Sequence, residues 1–408
     1  MPSSSRRTFL LATAAVGAGS LAGCFSRSCS PRRTQHNSDV SLSGDVRWPT
    51  QYYDAANTSY NPSADGPTAG VQVSWRYTLC GPSEASTIVS TETTHLEHHV
   101  IDTQTGENAD EWTFSRSTPT INDGMTYSPV GGADVDGPQL QARDATSGEV
   151  RWMTGLPRYG YPSSPTVANE TVYTAAGDLF AMDRETGEER WRFEIPSEVD
   201  AVGPPAVREQ TVYVADDDRT VYAVEAETGD ERWRITPTQE GGPSPIPSVA
   251  NGLVYIVINS DENSELKAVI PADGSVVWRH ETKLSLYSPV AITERSVFVV
   301  GSDYEQGFVM ALDPETGEQQ WQEGVDNSRY LGTVAVGGEN VYAGAINEVD
   351  TAPVYALDQA TGEQQWQFET RPRDFGDYTR RTVSAIAAVG EYVFVTTSGE
   401  VYALVGQS

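Results

Sequence analysis

Ala311-Leu312-Asp313-Pro314-Glu315-Thr316-Gly317-Glu318-Gln319-Gln320-Trp321 decides the fold, because the chain repeats it. Ala181-Met182-Asp183-Arg184-Glu185-Thr186-Gly187-Glu188 leads to Trp191, and Ala223-Val224-Glu225-Ala226-Glu227-Thr228-Gly229-Asp230 leads to Trp233. Ala356-Leu357-Asp358-Gln359-Ala360-Thr361-Gly362-Glu363 leads to Trp366, and weaker copies end at Trp112, Trp152 and Trp278. With Trp75, eight tryptophans recur at intervals of 37 to 45 residues, and only Trp48 stands outside the series. That interval suits a four-stranded propeller blade.

The phrase has a physical reading. A strand ends in Ala-Leu-Asp, and the Asp side chain accepts from backbone N–H groups in the following turn. Gly187, Gly229, Gly317 and Gly362 supply the positive φ that reverses the chain. The next strand carries Trp, whose ring covers a neighbouring sheet.

A second phrase follows each Trp: Ser163-Ser164-Pro165-Thr166-Val167, Gly203-Pro204-Pro205-Ala206-Val207, Tyr287-Ser288-Pro289-Val290-Ala291. Proline is tolerated at the start of a strand. Runs such as Thr171-Val172-Tyr173-Thr174, Thr211-Val212-Tyr213-Val214 and Ser296-Val297-Phe298-Val299 come next. Continuous apolar runs mark strands buried on both faces. One small sheet cannot bury both faces, whereas radial stacking does so and leaves only short edges.

The sequence also predicts how the ring closes. Val383 to Leu404 carries three strands' worth of pattern with no later Thr-Gly or Trp, while Gly70 to Tyr77 supplies Trp75 with no preceding strands. The expected fold is all-β: an eight-bladed β-propeller of four-stranded antiparallel blades over residues 46–408, its last blade completed by the N-terminal strand.

Composition sets limits. Gly 36 and Pro 24 suit a fold with many turns. The net charge of -30 excludes nucleic acid as a partner, because phosphate would be repelled. Lys267 and Lys283 are the only lysines. An acidic, lysine-poor surface suits high salt, where charge is screened, and this composition resembles that of haloarchaeal proteins.

The N-terminus reads as an address. Ser5-Arg6-Arg7-Thr8-Phe9-Leu10 looks like a twin-arginine export signal, followed by a modestly apolar stretch from Phe9 to Ala22. Leu21-Ala22-Gly23-Cys24 resembles a lipobox, which implies a diacylglyceryl group on Cys24. Residues 1–23 are then the signal peptide and 24–45 a flexible tether. The expected location is the outer face of the cell membrane. Cys29 and Cys80 have no metal-like spacing and could pair or stay free. Asn57-Thr58-Ser59 and Asn169-Glu170-Thr171 fit the glycosylation sequon.

Ala-x-Asp-x-x-Thr-Gly-x-x-x-Trp resembles the repeat of the pyrroloquinoline-quinone-like (PQQ-like) propellers. That family includes quinoprotein alcohol dehydrogenases and a lipoprotein branch of BamB type. The leader, Trp48-Pro49 through Asp54, Asn57-Thr58 and Tyr60-Asn61-Pro62, is similar to that of such proteins. The resemblance implies that a dehydrogenase would carry adjacent cysteines, a calcium site and a catalytic Asp. This chain has no adjacent cysteines and no Cys-x-x-Cys-His. The BamB-like branch fits the lipobox, but a haloarchaeal envelope lacks an outer membrane, so the fold of that branch is carried over and its role is not.

Three stretches are candidate sites. His95, Glu97 and His99 would share one face of a strand and could bind a metal; the plainer expectation is an outer strand facing water. Asp134-Val135-Asp136-Gly137 and Asp216-Asp217-Asp218 offer oxygen ligands at expected hairpin tips, or merely solvated carboxylates. Arg371, Arg373, Phe375, Tyr378, Arg380 and Arg381 put basic and aromatic groups on a long connection before the last blade, with Asp326-Asn327-Ser328-Arg329-Tyr330 on the same rim.

The expected function is a non-enzymatic surface lipoprotein that binds or scaffolds an envelope or membrane protein, as a monomer, held to the bilayer by its anchor. No catalytic, metal or cofactor residue is assigned, and PQQ is not expected. A PQQ-dependent oxidoreductase and a polysaccharide-binding or sensor module are the alternatives.

Overall fold

The computed structural model describes residues 32–35, 47–79, 86–96, 99–111, 117–130, 137–156, 162–195, 200–237, 245–259, 263–346, 351–371 and 381–407. Among them no helix occurs, and the strands form eight small sheets. Blades 1 to 7 span residues 88–111, 120–155, 166–193, 201–235, 248–282, 285–324 and 331–369, each an antiparallel meander of four strands. Blade 8 takes Val383–Val389, Tyr392–Thr397 and Glu400–Gly406 from the C-terminus and Val71–Thr78 from the N-terminus. Those chain ends lie side by side, Val71 opposite Gly406 and Thr78 opposite Glu400. The expected ring and its closure are therefore both present.

Two blades carry a fifth strand that the repeat does not predict. Tyr60–Asn61 adds in parallel to the first strand of blade 7. Arg32–Gln35, inside the segment expected to be a flexible tether, pairs antiparallel with Val71–Thr78 on the outer edge of blade 8.

Burial explains why these residues form these strands. In blade 3 the second strand, Thr171–Ala176, is buried at every position, and the third, Asp178–Asp183, at all but its last. The outer strand Glu189–Phe193 buries Trp191 and exposes its first two residues. Each described blade Trp packs on an aromatic residue of its own blade, as Trp233 does on Tyr213 at 5.8 Å between ring centroids. All of them but Trp366 also reach the next blade. The Trp191 indole N–H donates to Ala226 O at 2.9 Å, and that of Trp278 to Pro314 O at 3.0 Å. The Thr-Gly glycine lies against the same ring: a Cβ on Gly317 would come within 2.4 Å of Trp278. Trp112 lies outside the described residues.

The Asp of the phrase holds its turn. Asp313 Oδ1 accepts from the backbone N–H of Glu315 and Thr316 and from the Thr316 hydroxyl. Asp358 does the same with Ala360 and Thr361. At Asp183 the Arg190 guanidinium, then the Thr186 N–H, holds the carboxyl down to about 2.

The meander fixes two faces. Within a blade the hairpin between strands one and two and the Thr-Gly hairpin between strands three and four lie on the same face. The connections between blades lie on the opposite face, here called the rim. First strands of successive blades touch one another around the axis.

Candidate functional site

The innermost strand of each blade is an edge strand, so its outward N–H and C=O groups line the axis and need partners. The leader supplies them. Trp48 exchanges both backbone bonds with Val89 of blade 1, at 2.7 and 2.9 Å. Ile121 N–H of blade 2 donates to Pro49 O, Val207 of blade 4 to Ala55 O and Val249 of blade 5 to Ala56 O. Ile292 of blade 6 donates to Thr58 O and Val336 of blade 7 to Ser59 O. The Asn61 amide reaches Ala388 O of blade 8 at 2.9 Å and Arg47 O at 3.4 Å. Residues 47–61 thus circle the axis in blade order and close on themselves, on the face opposite the rim.

The circle is tight for its side chains. Tyr53, Asn57 and Ser59 adopt φ of 75°, 56° and 50°. Asp54 Oδ1 steadies the bend by accepting from Ala56 N–H and Thr58 N–H. Burial raises the Asp54 carboxyl, against those hydrogen bonds and the charge of Arg208, which pull it down. The Asn57 amide bridges blades 4 and 5, donating to Pro204 O at 3.2 Å and Pro247 O at 3.1 Å. Asn57 is 1% exposed, so its sequon nitrogen is engaged in the folded protein. Asn169 is exposed at a hairpin tip.

The rim carries the other candidate residues. Arg371 N–H donates to the Tyr402 hydroxyl at 3.0 Å, and that hydroxyl donates to Glu400. Arg76 lies 3.5 Å from the other Glu400 oxygen. Arg371 and half-buried Arg381 bracket the long connection. Arg373, Phe375, Tyr378 and Arg380 lie outside the described residues. In the neighbouring connection Asp326 O accepts from Tyr355 Oη, and the Ser328 hydroxyl lies 2.8 Å from that phenol. Beside it the structure adds a residue the sequence reading missed. Tyr304, 61% exposed, sits at the tip of a hairpin in blade 6, with its ring edge-on to Tyr330 at 6.3 Å. Its hydroxyl accepts from Ser285 Oγ. A single Tyr at a hairpin tip has no periodic signature that would single it out.

The histidine stretch does not form one strand. Thr93–Leu96 and His99–Asp102 are neighbouring strands, with Leu96 opposite His99 and His95 opposite Val100. His95 and His99 therefore face opposite sides of the sheet. His95 does not face water: it is fully buried, 2.8 Å from Thr93 Oγ1, and burial pulls its imidazole down to about 4. His99 lies against the Tyr77 ring, with Nδ1 3.1 Å from the phenol oxygen. Glu97 is outside the described residues.

Asp216 is likewise not a solvated carboxylate. It is buried, accepting from Thr220 N–H and from the Tyr222 hydroxyl at 2.8 Å. Among the described residues no group of three or more His, Cys, Asp or Glu could hold a metal. Cys24, Cys29, Cys80 and Asp134 to Asp136 fall outside the described residues.

Comparison with known proteins agrees with this architecture. The family model for "Outer membrane protein assembly factor BamB" matches residues 43–202, 175–263 and 262–408. BamB from Moraxella catarrhalis superposes with a TM-score of 0.61 at 17% identity, covering 82% of this chain and 100% of that one. The quinohemoprotein alcohol dehydrogenase ADHIIG of Pseudomonas putida HK5 gives 0.63 at 15% identity, covering 88% and 80%. That of Comamonas testosteroni gives 0.62 at 17% identity, covering 89% and 81%. At such identities these structures share the fold alone. No curated protein matches the sequence. With a BamB model matched along nearly the whole ring, the chain belongs to the family of the outer membrane protein assembly factor BamB, within the PQQ-like propellers.

Proposed function

We propose that this chain is a non-enzymatic lipoprotein, exported by the twin-arginine route and anchored through Cys24, whose rim binds an envelope or membrane protein. One observation carries this reading: residues 47–61 bond to the inner strands of seven of the eight blades and circle the axis at one face. That leaves the rim as the surface free to vary. It presents Tyr304 and Tyr330, and Arg371 and Arg381 lie at the two ends of the long connection before blade 8. Long connections on a rigid ring are suited to recognition. At the leader face the Asn57 and Asn61 amides are already engaged with carbonyls of the ring, which favours a structural role for this segment over cofactor binding.

The test is affinity isolation from native membranes with the natural chain and with a Tyr304→Ala, Arg381→Ala variant. A stoichiometric protein partner that falls at least tenfold with the variant supports the reading. Tight binding of added PQQ with dye-linked alcohol oxidation would replace it by the oxidoreductase.

A further inference from the structure

The outer edge of blade 8 is covered by four residues of the tether. Arg32 pairs with Thr78, Arg33 with Tyr77, Thr34 with Arg76 and Gln35 with Trp75. This pairing shortens the free chain between the lipid site and the ring. From Cys24 to Arg47, where the leader begins, is 23 residues, a maximum reach of about 80 Å. From Cys24 to Arg32 is 8 residues, at most about 29 Å and roughly 16 Å for a flexible chain.

Charge acts in the same direction. Residues 24–38 contain Arg27, Arg32 and Arg33 and no Asp or Glu, in a chain of net charge -30. An anionic bilayer attracts this short basic stretch and repels the acidic ring behind it. The strand at the outer edge of blade 8, Val71–Thr78, carries no Asp or Glu, so this edge adds no carboxylate of its own to oppose the bilayer.

We infer that Arg32–Gln35 is a docking clasp that fixes the orientation of the propeller on the bilayer. The outer edge of blade 8 faces the membrane, blade 4 lies farthest from it, and both faces of the ring stay open to solution. This rests on lipidation of Cys24. The clasp is one strand on an edge, so it can be broken without opening the ring.

The experiment uses the full lipid-bearing chain with Cys29→Ser and Cys80→Ser, on vesicles of phosphatidylglycerol and phosphatidylcholine carrying a headgroup energy acceptor. A donor dye is placed at Gln72→Cys in blade 8 or at Glu227→Cys in blade 4. Transfer from position 72 should exceed that from position 227 by at least threefold. Adding Thr34→Pro, which removes a backbone donor from the clasp, should bring the two within a factor of about 1.5 while the chain stays bound. Equal transfer from both positions in a lipidated, bound chain would overturn the orientation alone. A mass spectrum showing no lipid on Cys24 would overturn the anchor and the orientation with it.

Discussion

Trp366 donates its indole N–H to the carbonyl of Pro67 at 2.8 Å. The six other described blade tryptophans donate to a carbonyl in the Thr-Gly turn of the next blade, as Trp321 does to Gln359. Blade 8 has no such turn, because its third and fourth strands come from opposite ends of the chain. The leader stands in for it, and the Asn340 amide donates to the same Pro67 oxygen. Trp366→Phe should keep the packing on Tyr342 and lose the hydrogen bond, lowering stability by about 1–2 kcal/mol. Trp366→Ala should cost about 3–5 kcal/mol. Chemical unfolding of both variants measures the difference.

Gly317 and Gly124 have nearly the same φ, 72° and 74°. A Cβ at Gly317 meets the Trp278 ring, whereas at Gly124 nothing lies within 4 Å. Gly124→Ala should therefore cost only the backbone strain, about 1 kcal/mol. Gly317→Ala should cost clearly more, since the ring must move as well. Equal unfolding midpoints would show that the glycine does not serve the blade-to-blade contact.

His95 gives stability a pH dependence of known sign. Its imidazole falls from an ordinary 6.5 to about 4 because it is buried. Between those values the unfolded chain binds more protons, so stability is complete above about pH 6.5 and declines as pH falls towards 4. The full effect is on the order of 3 kcal/mol. His95→Gln should remove that part of the decline, measured as unfolding free energy at pH 7 and pH 4.5. An unchanged slope would mean that His95 is not the group responsible.

The Asn57 amide serves two carbonyls at once, Pro204 O in the inner strand of blade 4 and Pro247 O just before that of blade 5. Asn57→Ala leaves Pro204 O and Pro247 O without that donor and should lower stability by about 1–3 kcal/mol. Faster hydrogen exchange should appear at Val207 and Val249, whose N–H groups bond to the adjacent leader carbonyls. A loss of stability with no change at those two amides would separate Asn57 from the leader circle.

With a net charge of -30, stability should depend on salt. Self-repulsion is relieved as the screening length shrinks to about 3 Å at 1 M salt. The thermal midpoint should fall steeply as NaCl drops below about 1 M. Full cooperative stability in dilute buffer would contradict a halophilic surface.

The number of blades and the joining of Val71–Thr78 to Glu400–Gly406 were legible in the sequence, because tryptophan spacing is periodic and the missing copies mark the seam. The leader circle was not. Its shape answers unpaired inner edges that exist only once the ring is built, and Asp54, Asn57, Ser59 and Asn61 carry no repeat. Periodicity also misled at His95, because the stretch is divided between two paired strands, Thr93–Leu96 and His99–Asp102, which puts the two histidines on opposite faces. At Asp216 a local run of carboxylates suggested solvent, whereas Tyr222 and Thr220 hold the first of them inside. The rim was legible only as a long connection with basic and aromatic residues, and Tyr304 beside it gave no signal at all.

Closure of the ring by its own chain ends is tested most directly by hydrogen exchange of the backbone amides in Val71–Thr78. If this strand is the fourth of blade 8, those amides exchange as slowly as the ones in Glu400–Gly406 and are released together with them by denaturant. Exchange of residues 71–78 within seconds, while residues 400–406 stay protected, would contradict it.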